Sequence, residues 1–262
     1  MQKDKHLILT SGRSGSNFLT ETLDLHPEIV NYGEVLGAWT ILYKLFGGRK
    51  TLFPSAADYL RWVYSSRTLF YSRQIYYVLR GKLKKVKSYK KIKTIGIKEF
   101  MLNFQRRECC NFLENRKDLF MIYLVRMNKL QTYMSLLYAK ESNIWDSREK
   151  NNKIIKSKIN VEKMIEKIKS MENDEEVLNN YYKKYKGPKM KIEYSNYFKN
   201  EKSIQYFNRK IFKFLQVKNI IIRCRHKKIL PIKLKDKIGN YEEVKQALIG
   251  SNAEKYLGEN LF

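Results

Sequence analysis

The stretch His6–Asn17, with the sequence HLILTSGRSGSN, decides the fold. His6–Thr10 is a short apolar run of the kind that forms a buried strand in a parallel sheet. A turn rich in Ser and Gly follows it, and the apolar residues of Ser16–Leu25 then recur at helical spacing. His26 and Pro27 end this predicted helix. The chain therefore opens as a strand, a glycine-containing turn and a helix.

The later sequence alternates strand and helix patterns in the same way. Leu119–Val125 (LFMIYLV) is a succession of seven apolar residues, which predicts a central strand covered on both faces. Shorter strands are predicted at Ile95–Lys98 and Met190–Tyr194. Helices are predicted at Lys129–Tyr138, Val161–Tyr182 with Asn160 as its N-cap, Ile204–Leu215 and Tyr241–Leu248. This alternation predicts the α/β class, with a parallel sheet flanked by helices on both faces.

Length and composition limit the kind of protein this is. The 262 residues are predicted to form a single domain, 1–262, because no linker rich in Pro, Gly or Ser divides them. No apolar run has the length of a membrane span, and the first residues lack the pattern of a signal peptide. The three cysteines are few, odd in number and without metal-ligand spacing. We therefore expect a cytoplasmic protein without a metal site.

The net charge of +27 arises from 53 Lys and Arg against 26 Asp and Glu. Such an excess favours a polyanionic partner, which is nucleic acid, a membrane surface or a phosphorylated ligand. Lys, Asn, Ile and Tyr are abundant together, however, and biased base composition in a genome produces the same pattern. The charge by itself therefore does not choose between a binding surface and a solvated one.

The turn after the first predicted strand has the properties of an anion-binding loop. Backbone N–H groups at a strand-to-helix junction lack partners, and the helix dipole places positive charge there. Its candidate ligand groups are Ser11, Gly12, Arg13, Ser14, Gly15, Ser16 and Asn17. It is not a Walker A loop, because Gly12 and Gly15 are only three residues apart and no Lys follows the second glycine. A Ser/Gly-rich turn that binds nothing is the alternative.

Residues around this loop resemble a known family. The run SGRSGSNFL at Ser11–Leu19, with LDLHPE at Leu23–Glu28 and Gly33-Glu34 after it, resembles the 5′-phosphosulfate loop of the sulfotransferases. The bacterial and carbohydrate-directed enzymes are the most similar, since they have R-S-G-S where cytosolic aryl and steroid enzymes have K-S-G-T. The resemblance implies a P-loop-like, three-layer fold and a transferase that uses 3′-phosphoadenosine 5′-phosphosulfate (PAPS) and releases 3′,5′-phosphoadenosine (PAP). It also puts Arg13 at the basic residue that bridges the donor sulfate and the leaving phosphate.

A second segment resembles the family's 3′-phosphate element. Tyr123–Leu130 (YLVRMNKL) and Ser135–Ala139 (SLLYA) correspond to a strand that delivers an arginine and a helix that delivers a serine. The resemblance implies that Arg126 and Ser135 hold the 3′-phosphate. The two residues are nine positions apart here, whereas the family's usual spacing is eight.

Two further segments extend the resemblance toward the C-terminus. KIEY at Lys191–Tyr194 and FLQV at Phe214–Val217 resemble the Y-E-x-L strand and the F-L-G-V helix end, with Gln216 in place of the glycine. KILP from Lys228, and IGNYEEV at Ile238–Val244, resemble the C-terminal basic loop and the closing helix. The resemblance implies that Lys228 closes over the 3′-phosphate.

The resemblance also implies a reaction and its groups. A sulfuryl group would pass to a hydroxyl of a small or glycan acceptor, with 38–93 and 140–160 as specificity insertions. Glu34 is the candidate general base, and His26 at the helix end is its competitor. Lys98, at the end of a predicted strand, is placed to reach the sulfate, because ligands bind at the carboxyl ends of such strands. No metal and no nucleic acid are required, and the oligomeric state is left open.

Three other functions are compatible with the sequence. A P-loop kinase for a small metabolite would need a Lys in the loop and an acidic Mg²⁺ ligand at a strand end, where this chain has Arg126. A basic nucleic-acid-binding protein would use the lysine-rich run Leu83–Lys93 with its Tyr89, but the strand–turn–helix would then have no role. A sulfotransferase fold that binds a glycan without turnover is the third alternative.

Overall fold

The computed structural model describes residues 3–47, 49, 51–114, 116–143, 156–224, 236 and 238–257. Lys228 lies outside the described residues, as does much of the predicted insertion at 140–160. The described strands form one five-stranded sheet in the order β2-β3-β1-β4-β5, with every neighbouring pair parallel. The strands are β1 (Asp4–Thr10), β2 (Ile29–Asn31), β3 (Thr94–Phe100), β4 (Leu119–Val125) and β5 (Lys189–Glu193).

Helices occupy most of the chain between the strands. The α-helices are α1 (Ser16–Leu25), α2 (Ala56–Ser65), α3 (Arg67–Leu79), α4 (Met101–Arg106), α5 (Asn111–Glu114), α6 (Lys129–Ser142), α7 (Val161–Lys184), α8 (Tyr194–Tyr197), α9 (Glu201–Phe214) and α10 (Tyr241–Leu248). A π-helical turn covers Tyr43–Gly47, and 3₁₀ turns cover Leu83–Lys85, Tyr89–Lys91 and Glu254–Tyr256. Within the described residues, no helix combines the length and the apolar character that a membrane span requires.

The predicted α/β class, a parallel sheet with helices on both faces, is confirmed. Leu7 and Leu9 of β1 pack in one apolar cluster with residues of α2, α3 and α7, whereas Ile8 packs in a second cluster with α1 and α9. Because successive side chains of a strand point to opposite faces, this division places one helical layer on each side of the sheet. β4 alternates in the same way, with Tyr123 in the first cluster and Ile122 in the second.

Most predicted elements have the expected bounds. α1 and β4 coincide with their predictions, and α7 begins after Asn160, whose side chain accepts a hydrogen bond from the backbone N–H of Lys163. β2 was not predicted. It is only three residues long, too short to produce a recognisable pattern, and its side chains are all buried. Its pairing with β3 alone makes it an edge strand of the described sheet.

The lysine-rich run Leu83–Lys93 is partly tied to the body of the fold. The ammonium groups of Lys85 and Lys87 lie 3.7 and 3.5 Å from the carboxylate of Asp24, at the end of α1. Lys87 also donates to the carbonyl oxygen of Asp24 at 2.6 Å, and Lys93 pairs with Glu28 at 3.2 Å. These lysines therefore have intramolecular anionic partners, which reduces the charge that the run presents to nucleic acid.

Candidate active site

The predicted anion loop lies at the carboxyl end of the central strand β1. Thr10 ends the strand, and its hydroxyl donates to the carbonyl oxygen of Leu124 on β4 at 2.8 Å. The same hydroxyl contacts the buried hydroxyl of Ser14. This contact draws the loop back over the end of the sheet, where ligands bind in open parallel sheets.

The start of α1 has no side-chain cap. Its N-cap is Gly15, in the left-handed conformation at φ 79°, and this residue makes no side-chain cap hydrogen bond to the helix. α2, α3, α6, α7 and α9 each begin with a Ser or Asn side chain that accepts a backbone N–H, whereas α4, α8 and α10, like α1, begin without such a bond from the N-cap residue. A Cβ at Gly15 would lie 2.6 Å from the ring of Phe198, so a larger residue would displace that packing. The uncapped amides and the helix dipole favour an anion at Ser16 and Asn17.

Arg13, Arg126 and Ser135 converge at this loop from three separate segments. Nε of Arg13 donates to Oγ of Ser135 on α6 at 3.1 Å. Nη1 of Arg126, the residue after β4, donates to the carbonyl oxygen of Arg13 at 3.2 Å. Arg13 is held in the left-handed region at φ 61°, a conformation that costs a residue with a Cβ about 1 kcal/mol or more. The structure thus brings together three residues that the sequence assigned to one nucleotide.

The two guanidinium groups form a positively charged centre. Burial lowers the pKa of Arg13, and the nearby charge of Arg126 lowers it further. Burial also lowers the pKa of Arg126, whose guanidinium lies 4.4 Å from the ring centroid of Tyr194. Nε of Arg126 is buried and has no hydrogen-bond partner in the described part of the chain. A buried donor without a partner is costly, so a bound anion would stabilise this arrangement.

Glu34 and Lys98 form an ion pair at the same edge of the sheet. Lys98 is 2% exposed, and its ammonium group contacts Oε1 of Glu34. Oε2 of Glu34 accepts a hydrogen bond from Nε1 of Trp39 at 2.7 Å. The two candidate catalytic residues from distant segments are therefore partners.

A second carboxylate positions the turn that carries Glu34. Oε1 of Glu99 accepts the backbone N–H groups of Val35 and Leu36, each at 2.6 Å, and Oε2 accepts from the amide of Asn103 at 2.8 Å. Burial raises the pKa of Glu99, although these hydrogen bonds oppose the shift. Glu99 was not predicted as a site residue, because a single Glu in a strand gives no sign that it binds backbone amides of a remote turn.

A cavity of about 230 Å³ adjoins the anion loop. It is lined by Thr10, Ser11 and Gly12 of the loop, by Trp39 and Phe100, by Met101, Leu102, Asn103, Gln105 and Arg106 of α4, and by Asp174, Val177 and Leu178 of α7. Trp39 is 56% exposed at its rim and joins the cavity to Glu34. The carboxylate of Asp174, from the polar side of a long helix, was not predicted, since only the tertiary packing of α7 brings it here.

His26, the alternative base, lies at the far end of α1 from the loop. Its Nδ1 accepts the backbone N–H of Glu28 at 3.1 Å, so Nε2 carries the proton and donates to the carbonyl oxygen of Lys218 at 2.8 Å. Burial lowers the pKa of His26. Both ring nitrogens thus have backbone partners, which is the arrangement of a structural helix-end residue.

The described residues contain no group of three or more His, Cys, Asp or Glu side chains positioned to hold a metal ion. The candidate site is instead a cationic one, built from an uncapped helix, two arginines and a serine, with a carboxylate–lysine pair and a cavity beside it.

The fold and this site define the chain as an α/β protein with two arginines and an uncapped helix start at the carboxyl edge of a parallel sheet. Its structure is similar to the crystal structure of a sulfotransferase from Alicyclobacillus acidocaldarius, with 12% identity and a TM-score of 0.49. The similarity covers 98% of this chain and 100% of that chain. No protein-family model matches the sequence, and no curated protein is significantly similar to it. The function is therefore argued from the residues of the site.

Proposed function

We propose that this protein transfers a sulfuryl group from PAPS to a hydroxyl group of a carbohydrate or glycoconjugate. The observation that carries the proposal is the convergence of Arg13, Arg126 and Ser135 at the uncapped start of α1. PAPS has two separate anionic groups, and this edge of the sheet offers two guanidinium groups together with helix amides.

The residues fit the two ends of such a donor. Arg13 and the amides of Ser14–Asn17 suit the 5′-phosphosulfate, because they concentrate donors where the leaving phosphate gains charge. Arg126 and Ser135 suit the 3′-phosphate, and the buried Nε of Arg126 supplies a donor that lacks a partner in the described residues. The donor supplies the activated sulfuryl group, and transfer is an in-line displacement in which the protein mainly orients and stabilises charge.

The acceptor would bind in the cavity beside the loop. Trp39 and Phe100 offer flat apolar surfaces, and Asn103 and Asp174 offer polar groups at the same cavity. A sugar ring has an apolar face and a rim of hydroxyl groups, which matches this combination. Glu34 would accept the proton of the attacking hydroxyl, and Lys98, which contacts its Oε1, would hold the side chain in place.

Calorimetric titration with PAP, in the presence and absence of Mg²⁺ and alongside ATP, is the first test. We expect PAP to bind without Mg²⁺. Arg13→Ala should lower the affinity for PAP about 10- to 150-fold, since hydrogen bonds to charged groups contribute about 1.5–3 kcal/mol. Arg209→Ala, which changes an exposed arginine of α9, should leave the affinity unchanged. Binding of ATP with Mg²⁺ in place of PAP would instead support a kinase.

The second test is transfer itself. Incubation with ³⁵S-labelled PAPS and cell extract should label a glycan in a reaction that Arg13→Ala abolishes and Arg209→Ala preserves. Labelled protein tyrosines or phenols would overturn the acceptor class. Tight PAP binding with no labelled product from any glycan-containing extract would identify a fold that binds the nucleotide without turnover.

A further inference from the structure

The outer face of α3 is apolar although it faces solvent. Tyr71, Ile75, Val78 and Leu79 recur at the spacing i, i+4, i+7 and i+8, so they share one side of the helix. All four are exposed, and Leu79 is 80% exposed. The opposite side of the helix supplies the residues that pack against the body of the fold: Leu69, Phe70, Gln74 and Tyr77. α3 is therefore apolar on both sides, and only one side is covered.

The segment after α3 extends this surface. Leu83, the first residue of the 3₁₀ turn, is 66% exposed. Val86, the residue that ends the turn, is also exposed. We name the six residues Tyr71, Ile75, Val78, Leu79, Leu83 and Val86 the α3 face. A contiguous exposed apolar surface of this kind marks an interaction site in a soluble protein.

The charged residues of the segment that carries the α3 face all have the same sign. Residues 67–93 contain ten Lys and Arg and no Asp or Glu. Lys85 and Lys87 are bound by Asp24. The exposed members of the group are Arg67, Arg80, Lys82, Lys84, Lys90, Lys91 and Lys93, of which Lys93 pairs with Glu28 at 3.2 Å. The apolar face is thus bordered by cationic side chains.

We propose that the α3 face binds the surface of a lipid bilayer that contains anionic headgroups. An amphipathic helix binds such a surface when its apolar face enters the acyl boundary and its Lys and Arg side chains meet the headgroups. Nucleic acid would satisfy the charge but would leave the side chains of Ile75, Leu79 and Leu83 in water. A second copy of the chain would cover the apolar residues but would bring two cationic borders together. Only an anionic bilayer complements both the exposed apolar side chains and the cationic side chains that border them.

The proposed surface is separate from the nucleotide site. Asp24, at the C-terminal end of α1, holds Arg73 of α3 at 3.2 Å, whereas the anion loop lies at the N-terminal end of α1. A helix of ten residues spans about 15 Å. Membrane binding should therefore leave PAP affinity unchanged, and the two proposals fail or succeed independently.

The test is co-sedimentation of the full chain with vesicles of phosphatidylcholine alone or mixed with phosphatidylglycerol. We expect binding only to the mixed vesicles. Replacement of Arg80, Lys82 and Lys84 by Gln should weaken it about a hundredfold, since each basic residue near an anionic surface contributes about fivefold. Replacement of Ile75, Leu79 and Leu83 by Ser should weaken it by about tenfold or more, because inserted apolar area adds to the electrostatic attraction.

Matched variants control for charge and hydrophobicity. Replacement of Lys163, Lys169 and Lys183 on α7 by Gln removes the same charge, and Ile221→Ser with Ile249→Ser removes exposed apolar side chains elsewhere. We expect both controls to bind like the parent, and the midpoint of thermal unfolding serves as the check of folding for every variant. An equal loss of vesicle binding in the α7 variant would overturn the proposal. Vesicle binding that is unchanged by the Ser substitutions and equalled by binding to a DNA duplex would also overturn it. Concentration-dependent dimerisation that the Ser substitutions abolish would also overturn it.

Discussion

Nε of Arg13 lies 3.1 Å from Oγ of Ser135, although 122 residues separate them in the chain. The contact joins the loop after β1 to helix α6, which follows β4. β1 and β4 are neighbouring parallel strands, so their carboxyl ends open on the same edge of the sheet. The serine thereby sets the direction of a guanidinium whose backbone is already held at a positive φ. The proposed nucleotide site depends on this pairing.

Ser135→Ala is expected to reduce selectivity for the 3′-phosphate. Loss of the hydroxyl should weaken the affinity for PAP about tenfold, which is the value of one hydrogen bond to a charged group. The affinity for 5′-AMP should fall less, because that nucleotide loses only the orientation that Ser135 gives to Arg13. Isothermal titration with both nucleotides measures the difference. Ser142→Ala, at the end of the same helix, is the control. An equal loss for both nucleotides would contradict the assignment of Ser135 to the 3′-phosphate.

Glu34→Gln is expected to reduce turnover without lowering the affinity for the donor nucleotide. Removal of a general base costs about 10²–10⁴ in rate, whereas the amide keeps the size of the side chain and an oxygen for Trp39. Initial rates of labelled product and PAP affinity separate the two effects. Asp174→Asn is the matched comparison, because its carboxylate lines the adjacent cavity. If Asp174→Asn loses the turnover and Glu34→Gln retains it, the base is Asp174.

Asp24→Asn is expected to destabilise the protein by about 3–5 kcal/mol at neutral pH, because it breaks a buried network of charges. Burial raises the pKa of Asp24, but Arg73, Lys87 and Lys85 more than offset burial and hold the pKa below its ordinary value. A lowered pKa means that the stabilisation is present above the unfolded pKa of about 3.9 and is lost as the pH falls through the folded pKa. The difference between parent and variant should therefore shrink below about pH 4.

Urea unfolding at several pH values measures this effect, and Asp118→Asn is its control. Asp118 also has a lowered pKa, mainly through its hydrogen bond with Arg116, but it is 53% exposed. A solvent-screened pair of this kind contributes about 0–1 kcal/mol. Equal destabilisation by the two variants would show that the Asp24 network does not hold α3 and the lysine-rich run to α1.

Gln216→Gly is expected to stabilise the protein by about 0.5–1 kcal/mol, since glycine adopts the left-handed conformation without strain. Gln216 lies just past the end of α9 at φ 55°, in the place where the resemblance has glycine. Thermal unfolding measures the change. Arg209→Gly, inside the same helix, should destabilise by about 1 kcal/mol. A loss of stability in Gln216→Gly would mean that its side chain makes a contribution that outweighs the backbone strain.

Local elements were predictable from the sequence, and remote contacts were not. The bounds of α1, β4 and α10 follow from apolar periodicity and from end signals such as His26 and Pro27, all of which act within a few residues. β2 was missed because three residues give too little pattern. The lysine-rich run shows the same limit, since the sequence places Lys85 and Lys87 among exposed lysines, whereas Asp24 binds them in the structure.

The sequence by itself determined the strand–turn–helix around Arg13, the α/β class and the identity of the residues that the resemblance assigns to the nucleotide. Only the tertiary structure decided that Ser135 meets Arg13, that Lys98 pairs with Glu34, and that Asp174 reaches the cavity beside the loop. The physical reason is the range of the forces involved. Periodicity and capping act along a few residues of one segment, whereas the order of strands in the sheet brings the ends of distant segments to one edge.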